Sequence, residues 1–191
     1  MPNLIGNRVV LREYRKEDLL YMRQWVNDPE IVDMLSDVFL FPQTMNKTEQ
    51  FLNAMLEGSV DARGFVISLR ETLEYIGQID LHRIDWKNRS AELGIVIGNK
   101  LLQGLGYGTE AMQLLQQFVF ERLQLNRLEL EVLAYNSPAI HCYLKCGFQE
   151  EGRKRQRHYY KGEYHDVIVM SILKSDYIQR GANRSGTGTE A

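Results

Sequence analysis

The run Gln103-Gly104-Leu105-Gly106-Tyr107-Gly108-Thr109-Glu110 holds the residues best suited to chemistry, and that chemistry is the binding of phosphate. It follows the apolar segment Leu93-Gly94-Ile95-Val96-Ile97. It opens a stretch in which Ala111, Leu114, Leu115 and Phe118 recur at helical spacing. A glycine-rich turn at a helix N-terminus offers unpaired backbone N–H groups and the positive end of the helix dipole. Together these suit a pyrophosphate, and glycine lets the backbone approach an anion with no Cβ in the way. Two well-known phosphate loops do not fit. A P-loop would place lysine after its last glycine, whereas Thr109 follows Gly108. The dinucleotide fingerprint needs Gly-x-Gly-x-x-Gly, and Gly108 comes one position early for it. A glycine-rich turn from strand to helix, with no ligand, is the plain alternative.

A second constellation runs from Asn136 to Phe148. Leu128-Glu129-Leu130-Glu131-Val132-Leu133 alternates as a half-buried strand, and a short helix follows it. Ser137 is the expected N-cap, Pro138 occupies the first helical position, and Gly147 stands where a left-handed C-terminal residue belongs. The pattern Gln-x-x-Gly-x-Gly, followed downstream by strand, Asn, capped helix, Tyr and Gly-Phe, resembles the two signatures of the GNAT N-acetyltransferase superfamily. The resemblance covers roughly residues 8 to 175. Leu11-Arg12-Glu13-Tyr14-Arg15-Lys16-Glu17-Asp18-Leu19 and Gly162-Glu163-Tyr164-His165-Asp166 further resemble the branch containing the ribosomal-protein and spermidine acetyltransferases.

That resemblance implies an α/β (α+β) fold. Its central sheet would be mixed and mostly antiparallel, with a splayed strand pair, flanked by about four helices. It implies acetyl-CoA as co-substrate and no metal. Gln103, Gly104, Leu105, Gly106, Tyr107, Gly108 and Thr109 would hold the pyrophosphate. The backbone of Ile95, Val96 and Ile97, on the splayed strand, would meet the pantetheine arm and the acetyl carbonyl, and Asn136 would also contact that arm. Tyr143 matches the family tyrosine that donates a proton to the CoA sulfur, a step a phenol can perform. Glu92, at the start of the splayed strand, is the candidate general base. Glu131 is the reserve, and a water between base and amine is a third option. The plain readings are a buried aromatic for Tyr143, a strand-end glutamate for Glu92 and a turn residue for Asn136.

Other side chains carry weaker signals. Cys142 and Cys146 lie four apart on one helical face, as an acetyl-enzyme nucleophile or, more simply, as small apolar residues. The four histidines show no metal-ligand spacing. Arg153, Lys154, Arg155 and Arg157 read as a solvated strand, or as a contact to the CoA phosphates or a partner subunit. Asp28, Glu30, Asp33 and Asp37 cluster with no lysine or arginine among them, where the family builds its acceptor wall. Asp33 and Asp37 are therefore candidate contacts for a cationic acceptor, although surface acids at helix ends explain them equally well. The acceptor is expected to be a small amine such as a polyamine, with a protein N-terminal amine as the alternative. A CoA-binding module without catalysis is a third reading.

The elements that must position these groups follow from patterning. Strands are expected at Arg8–Arg12, Phe65–Leu69, Ile76–Leu81 and Glu92–Ile97, and as a closing hairpin over Arg153–Tyr160 and Asp166–Leu173. One helix is expected over Glu17–Val26, with helical spacing at Leu20, Met22 and Trp25. A second would be opened by a capping box of Asn46 and Glu49. Residues 1–180 are expected as one acetyltransferase domain and 181–191 as a disordered tail. At 191 residues and a net charge of −2, nothing points to nucleic acid. No apolar run reaches membrane-spanning length, no signal peptide is visible, and two cysteines make no disulfide framework, so a cytoplasmic setting is expected. Family precedent suggests a homodimer.

Overall fold

The computed structural model describes residues 3–58 and 63–185. Its strands are β1 (Leu4–Ile5), β2 (Val9–Arg12), β3 (Arg63–Leu69), β4 (Tyr75–Asp85), β5 (Ser90–Ile97), β6 (Arg127–Leu133), β7 (Gln149–Tyr160) and β8 (Glu163–Leu173). They pair in the order β1-β2-β3-β4-β5-β6-β8-β7. The β5–β6 pair is parallel, and the β1–β2, β2–β3, β3–β4, β6–β8 and β7–β8 ladders are antiparallel, the mixed, mostly antiparallel sheet that was expected. The helices are α1 (Asp18–Trp25), α2 (Pro29–Val32), α3 (Met45–Glu57), α4 (Tyr107–Gln117), α5 (Ser137–Lys145) and α6 (Lys174–Ser185). Among the described residues six stand where about four were expected, the additions being the single turn α2 and the C-terminal α6. The chain divides into two compact units, Met1–Arg83 with Leu93–Leu114 and Ile84–Glu92 with Leu115–Ala191.

In the first unit, α1 and α3 bury Met22, Trp25 and Leu52 with Tyr14, Val66, Tyr75 and Val96. Leu20, which shares the helical spacing of Met22 and Trp25, is 70% exposed. Helix α3 is capped by Thr44, whose hydroxyl accepts from the Lys47 N–H, and not by Asn46. Threonine, like asparagine two residues later, is a favoured N-cap, and pattern alone does not choose between them. Asp28 caps α2 by accepting from the Glu30 N–H. Arg12 and Asp18, both almost fully buried, form a two-pronged ion pair at 2.8 and 2.9 Å that ties β2 to α1. Close backbone packing marks the β4–β5 neighbours, because a Cβ on Gly77 would lie 2.1 Å from the Val96 carbonyl oxygen.

In the second unit, β6 pairs along its whole length with β8, which places Leu128, Leu130 and Val132 in the core. Helix α4 continues into a π-helical turn over Phe118–Arg122 that buries Phe118, Val119 and Phe120. The β7–β8 turn uses Lys161 and Gly162, both at positive φ, as a two-residue hairpin requires. Helix α6 reaches Ser185, so residues 181–185 are helical where a tail was expected. Residues 186–191 of that expectation lie outside the described residues. Tertiary anchors override the poor local composition of α6. The Tyr177 ring packs 5.2 Å from Phe120, its hydroxyl donates to Glu121, and Arg180 donates to the Lys145 carbonyl.

Candidate active site

In the first unit, β5 runs into a short 3-10 turn at Lys100–Leu102, then the glycine loop, then α4. Gly104 and Gly106 take φ of +73° and +86°, a left-handed conformation that glycine adopts without strain. A Cβ on Gly104 would meet nothing within 4 Å. The N–H groups of Gly104, Leu105, Gly106, Tyr107 and Gly108 make no hydrogen bond among the described residues. Five consecutive free donors at the positive end of an 11-residue helix form an anion cradle. Gln103 does not face that cradle with its amide, because its side chain donates to the Ile97 carbonyl at 2.8 Å and closes the strand–loop corner.

The strand before the loop behaves as the resemblance implied in one respect. Parallel pairing of β5 with β6 comprises Ser90↔Arg127, Ala91↔Leu128 and Glu92↔Glu129, and it ends there. Five residues of β5, Leu93–Ile97, follow with no further β6 register. Of the three expected backbone contacts, Ile97 already gives its carbonyl to Gln103. Ile95 and Ile97 turn their side chains toward Gly108.

The acidic cluster is half neutralised. Lys100 bridges Asp28 at 2.8 Å and Glu30 at 2.9 Å. Its ammonium holds the Asp28 carboxyl below the usual aspartate range, and the two acids raise the Lys100 pKa in return. No lysine or arginine lies among these acids in the sequence, but Lys100 arrives from a distant turn. Asp33 and Asp37, the tentative acceptor contacts, lie after α2 and in a 3-10 turn at Asp37–Phe39, and both have partners.

The second unit carries the candidate acid and base. Tyr143 is only 8% exposed on α5, its ring 5.9 Å from Phe148. Its hydroxyl makes no hydrogen bond, and no buried side-chain oxygen among the described residues lacks a partner, so that oxygen keeps contact with solvent. Burial, and secondarily the two nearby cysteines, push the phenol well above its ordinary pKa. It therefore stays protonated through neutral pH, as an acid must. Glu92 is half-buried and its carboxylate has no partner among the described residues. Glu131, by contrast, is ion-paired with Lys154. The Glu92 carboxylate is thus open to a substrate where that of Glu131 is engaged.

Asn136 caps α5, accepting from the Ala139 N–H at 3.3 Å. The cap thus lies one residue earlier than Ser137, and Asn136 carries a structural duty whatever else it touches. Cys146 is buried at the end of α5, while Cys142 is half-buried. Among the described residues no group of three or more His, Cys, Asp or Glu is arranged to hold a metal, and no helix is long and apolar enough to cross a membrane. Within the basic run, Arg153 pairs with Glu150 and Lys154 with Glu131. Arg155 and Arg157 are exposed on a bulge around Gln156, whose φ is +51°.

Two features escaped sequence reading. Glu110 accepts from the backbone of Arg8 at 2.8 Å and of Val9 at 3.3 Å, and from the Arg8 guanidinium at 3.2 Å. Asp80 is buried beneath Tyr14, Gln78, Tyr75 and Trp25, with the Tyr14 hydroxyl donating to it at 2.5 Å and Gln78 at 2.9 Å. Glu110 ends the glycine-rich run and Asp80 lies in no motif, but the partners Arg8 and Tyr14 lie 102 and 66 residues away in sequence.

The "Acetyltransferase (GNAT) domain" family model matches residues 8–149. An uncharacterized N-acetyltransferase p20 from Bacillus licheniformis is 34% identical over 182 residues, covering 93% of this chain and 99% of that protein. The spermidine N(1)-acetyltransferase of Vibrio cholerae is 29% identical over 177 residues, with coverages of 92% and 99%. The crystal structure of a V. cholerae spermidine N-acetyltransferase in complex with CoA and spermine superimposes with a TM-score of 0.79. It is 29% identical and covers 91% of this chain and 99% of that one.

Proposed function

The chain belongs to the GNAT acetyltransferase family and is an acetyl-CoA-dependent N-acetyltransferase, and from that premise we propose that it acetylates a primary amine of a small polyamine by direct attack. The observation that carries the reading is the row of five free N–H groups from Gly104 to Gly108, where a pyrophosphate would accept. The polyamine assignment draws on the near full-length likeness to a spermidine acetyltransferase whose structure holds CoA and spermine.

In this reaction the amine must be neutral to attack, yet a free alkylamine is mostly protonated near pH 7. Glu92 takes the amine proton, directly or through a water. The nitrogen lone pair adds to the thioester carbonyl, and backbone N–H groups of Ile95–Ile97 stabilise the oxyanion. The C–S bond then breaks, Tyr143 gives its proton to the leaving sulfur, and the second proton of the acetylated nitrogen passes to solvent, from which the phenolate is reprotonated. Residues 1–180 act as one acetyltransferase domain in this reading, in keeping with a family match that runs through both compact units.

The test is CoA thiol release from acetyl-CoA across spermidine, spermine, aminoglycosides and short peptides with free N-termini. Polyamines should accelerate release and peptides should not. Stimulation by peptides alone would overturn the acceptor assignment, and binding without release for any amine would overturn the catalytic one.

A further inference from the structure

Resting on the pyrophosphate-loop reading, we propose that Arg8 is a positioning residue for acetyl-CoA binding, holding the loop from outside so that its free N–H groups face the phosphates. Arg8 Nη1 donates to the Leu105 carbonyl at 2.9 Å, across 97 residues of sequence. The peptide joining Leu105 to Gly106 is planar and trans, so its C=O and N–H point in opposite directions. Fixing the carbonyl on Arg8 therefore turns the Gly106 N–H away from Arg8.

The same guanidinium sits 4.8 Å from the Tyr107 ring centroid. Its Nη2 would be 3.1 Å from a Cβ on Gly106, so it follows the loop closely at the residue whose φ is +86°. Arg8 is in turn oriented. Glu110 accepts from its Nε at 3.2 Å and from its backbone N–H at 2.8 Å. Burial alone would raise the Glu110 pKa. The N–H groups of Arg8 and Val9, the guanidinium and the Asn7 N–H instead hold it below the usual carboxylate range, so the carboxylate is ionised wherever Arg8 needs it. The planar fork of arginine serves both Leu105 and Glu110, a double task that a single ammonium does not reproduce.

The experiment compares acetyl-CoA with acetyl-pantetheine, a thioester that lacks the pyrophosphate. For Arg8→Ala, KM for acetyl-CoA should rise about tenfold, the scale of one lost charge-assisted hydrogen bond, with kcat little changed and acetyl-pantetheine turnover unaffected. Arg8→Lys, which keeps the charge and folds if Arg8→Ala does not, should show a similar rise. Glu110→Gln should give part of the effect, and its combination with Arg8→Ala no more than Arg8→Ala alone. Equal loss on both thioesters would mean a merely structural role and would overturn the proposal. Recovery of wild-type KM by Arg8→Lys, or tighter acetyl-CoA binding in Glu110→Gln, would mean direct contact with the phosphates and would also overturn it. A wild-type enzyme that makes no distinction between the two thioesters would remove the loop reading itself, an outcome separate from either of these.

Discussion

At the scale of single residues, the proposed reaction divides the labour between a protonated phenol and an unpaired carboxylate. Tyr143→Phe removes the donor and keeps the ring against Phe148, so kcat should fall by about 10²–10⁴ while KM for acetyl-CoA is nearly unchanged. Steady-state kinetics over a pH series checks this, and unaltered turnover throughout would exclude the acid role. Glu92→Gln should cost a comparable factor, whereas Glu131→Gln should cost little, because Lys154 already occupies Glu131. Equal losses in the two variants would contradict the assignment. Asp80 makes a different prediction, about stability. Burial outweighs the Tyr14 and Gln78 hydrogen bonds and pushes its carboxyl up to about 7. A folded-state pKa above the unfolded value favours the folded form while the group is protonated. That advantage is full below the ordinary value near 3.8 and disappears as pH rises through about 7. Asp80→Asn should therefore gain stability relative to wild type between pH 5 and pH 8, by about 2–3 kcal/mol at 1.36 kcal/mol per unit. Urea unfolding at the two pH values reads this directly, and parallel curves for the two proteins would refute it.

At the scale of elements, helix α5 shows how much of the site was legible. Its strand, its proline near the start, Gly147 at φ +92° and the position of Tyr143 all followed from spacing and cap chemistry. Only the cap moved, from Ser137 to Asn136, because both residue types cap well and pattern alone does not choose between neighbours. Asn136→Ala should cost about 1 kcal/mol through the lost cap, and Asn136→Asp should restore it. If Asn136→Asp restores stability and full activity together, a pantetheine contact through the amide is refuted. The loop was equally readable, since its glycines and the helix behind them are contiguous in sequence. What sets the loop's orientation was not. Arg8 and Lys100 act on groups about 70 to 100 residues away, and no periodicity carries that information. Residues 181–185 are helical where a tail was expected for the same reason, since Arg180 and Tyr177 hold α6 through contacts that its composition does not advertise. Leu20 shows the converse, a helical spacing that the fold leaves 70% exposed.

At the scale of the whole molecule, ligand binding and folding are linked. A ligand bound only by the native state stabilises it by about 2.7 kcal/mol at a hundredfold excess over Kd. For a chain of 191 residues that corresponds to a rise in Tm of roughly 5–10 °C. Acetyl-CoA should produce such a rise in a thermal melt, and acetyl-pantetheine much less, because the Gly104–Gly108 donors would have no pyrophosphate to bind. Equal shifts from the two would deny the loop its role. The acceptor is tested most directly by competition. Spermidine and a short peptide with a free N-terminus, at equal concentration, would be incubated with the enzyme and isotope-labelled acetyl-CoA, and the products weighed by mass spectrometry. Labelled acetylspermidine should form in amounts matching the CoA released, with the peptide unmodified. Label on the peptide alone, or acetyl-CoA bound with no label on either amine, would contradict it.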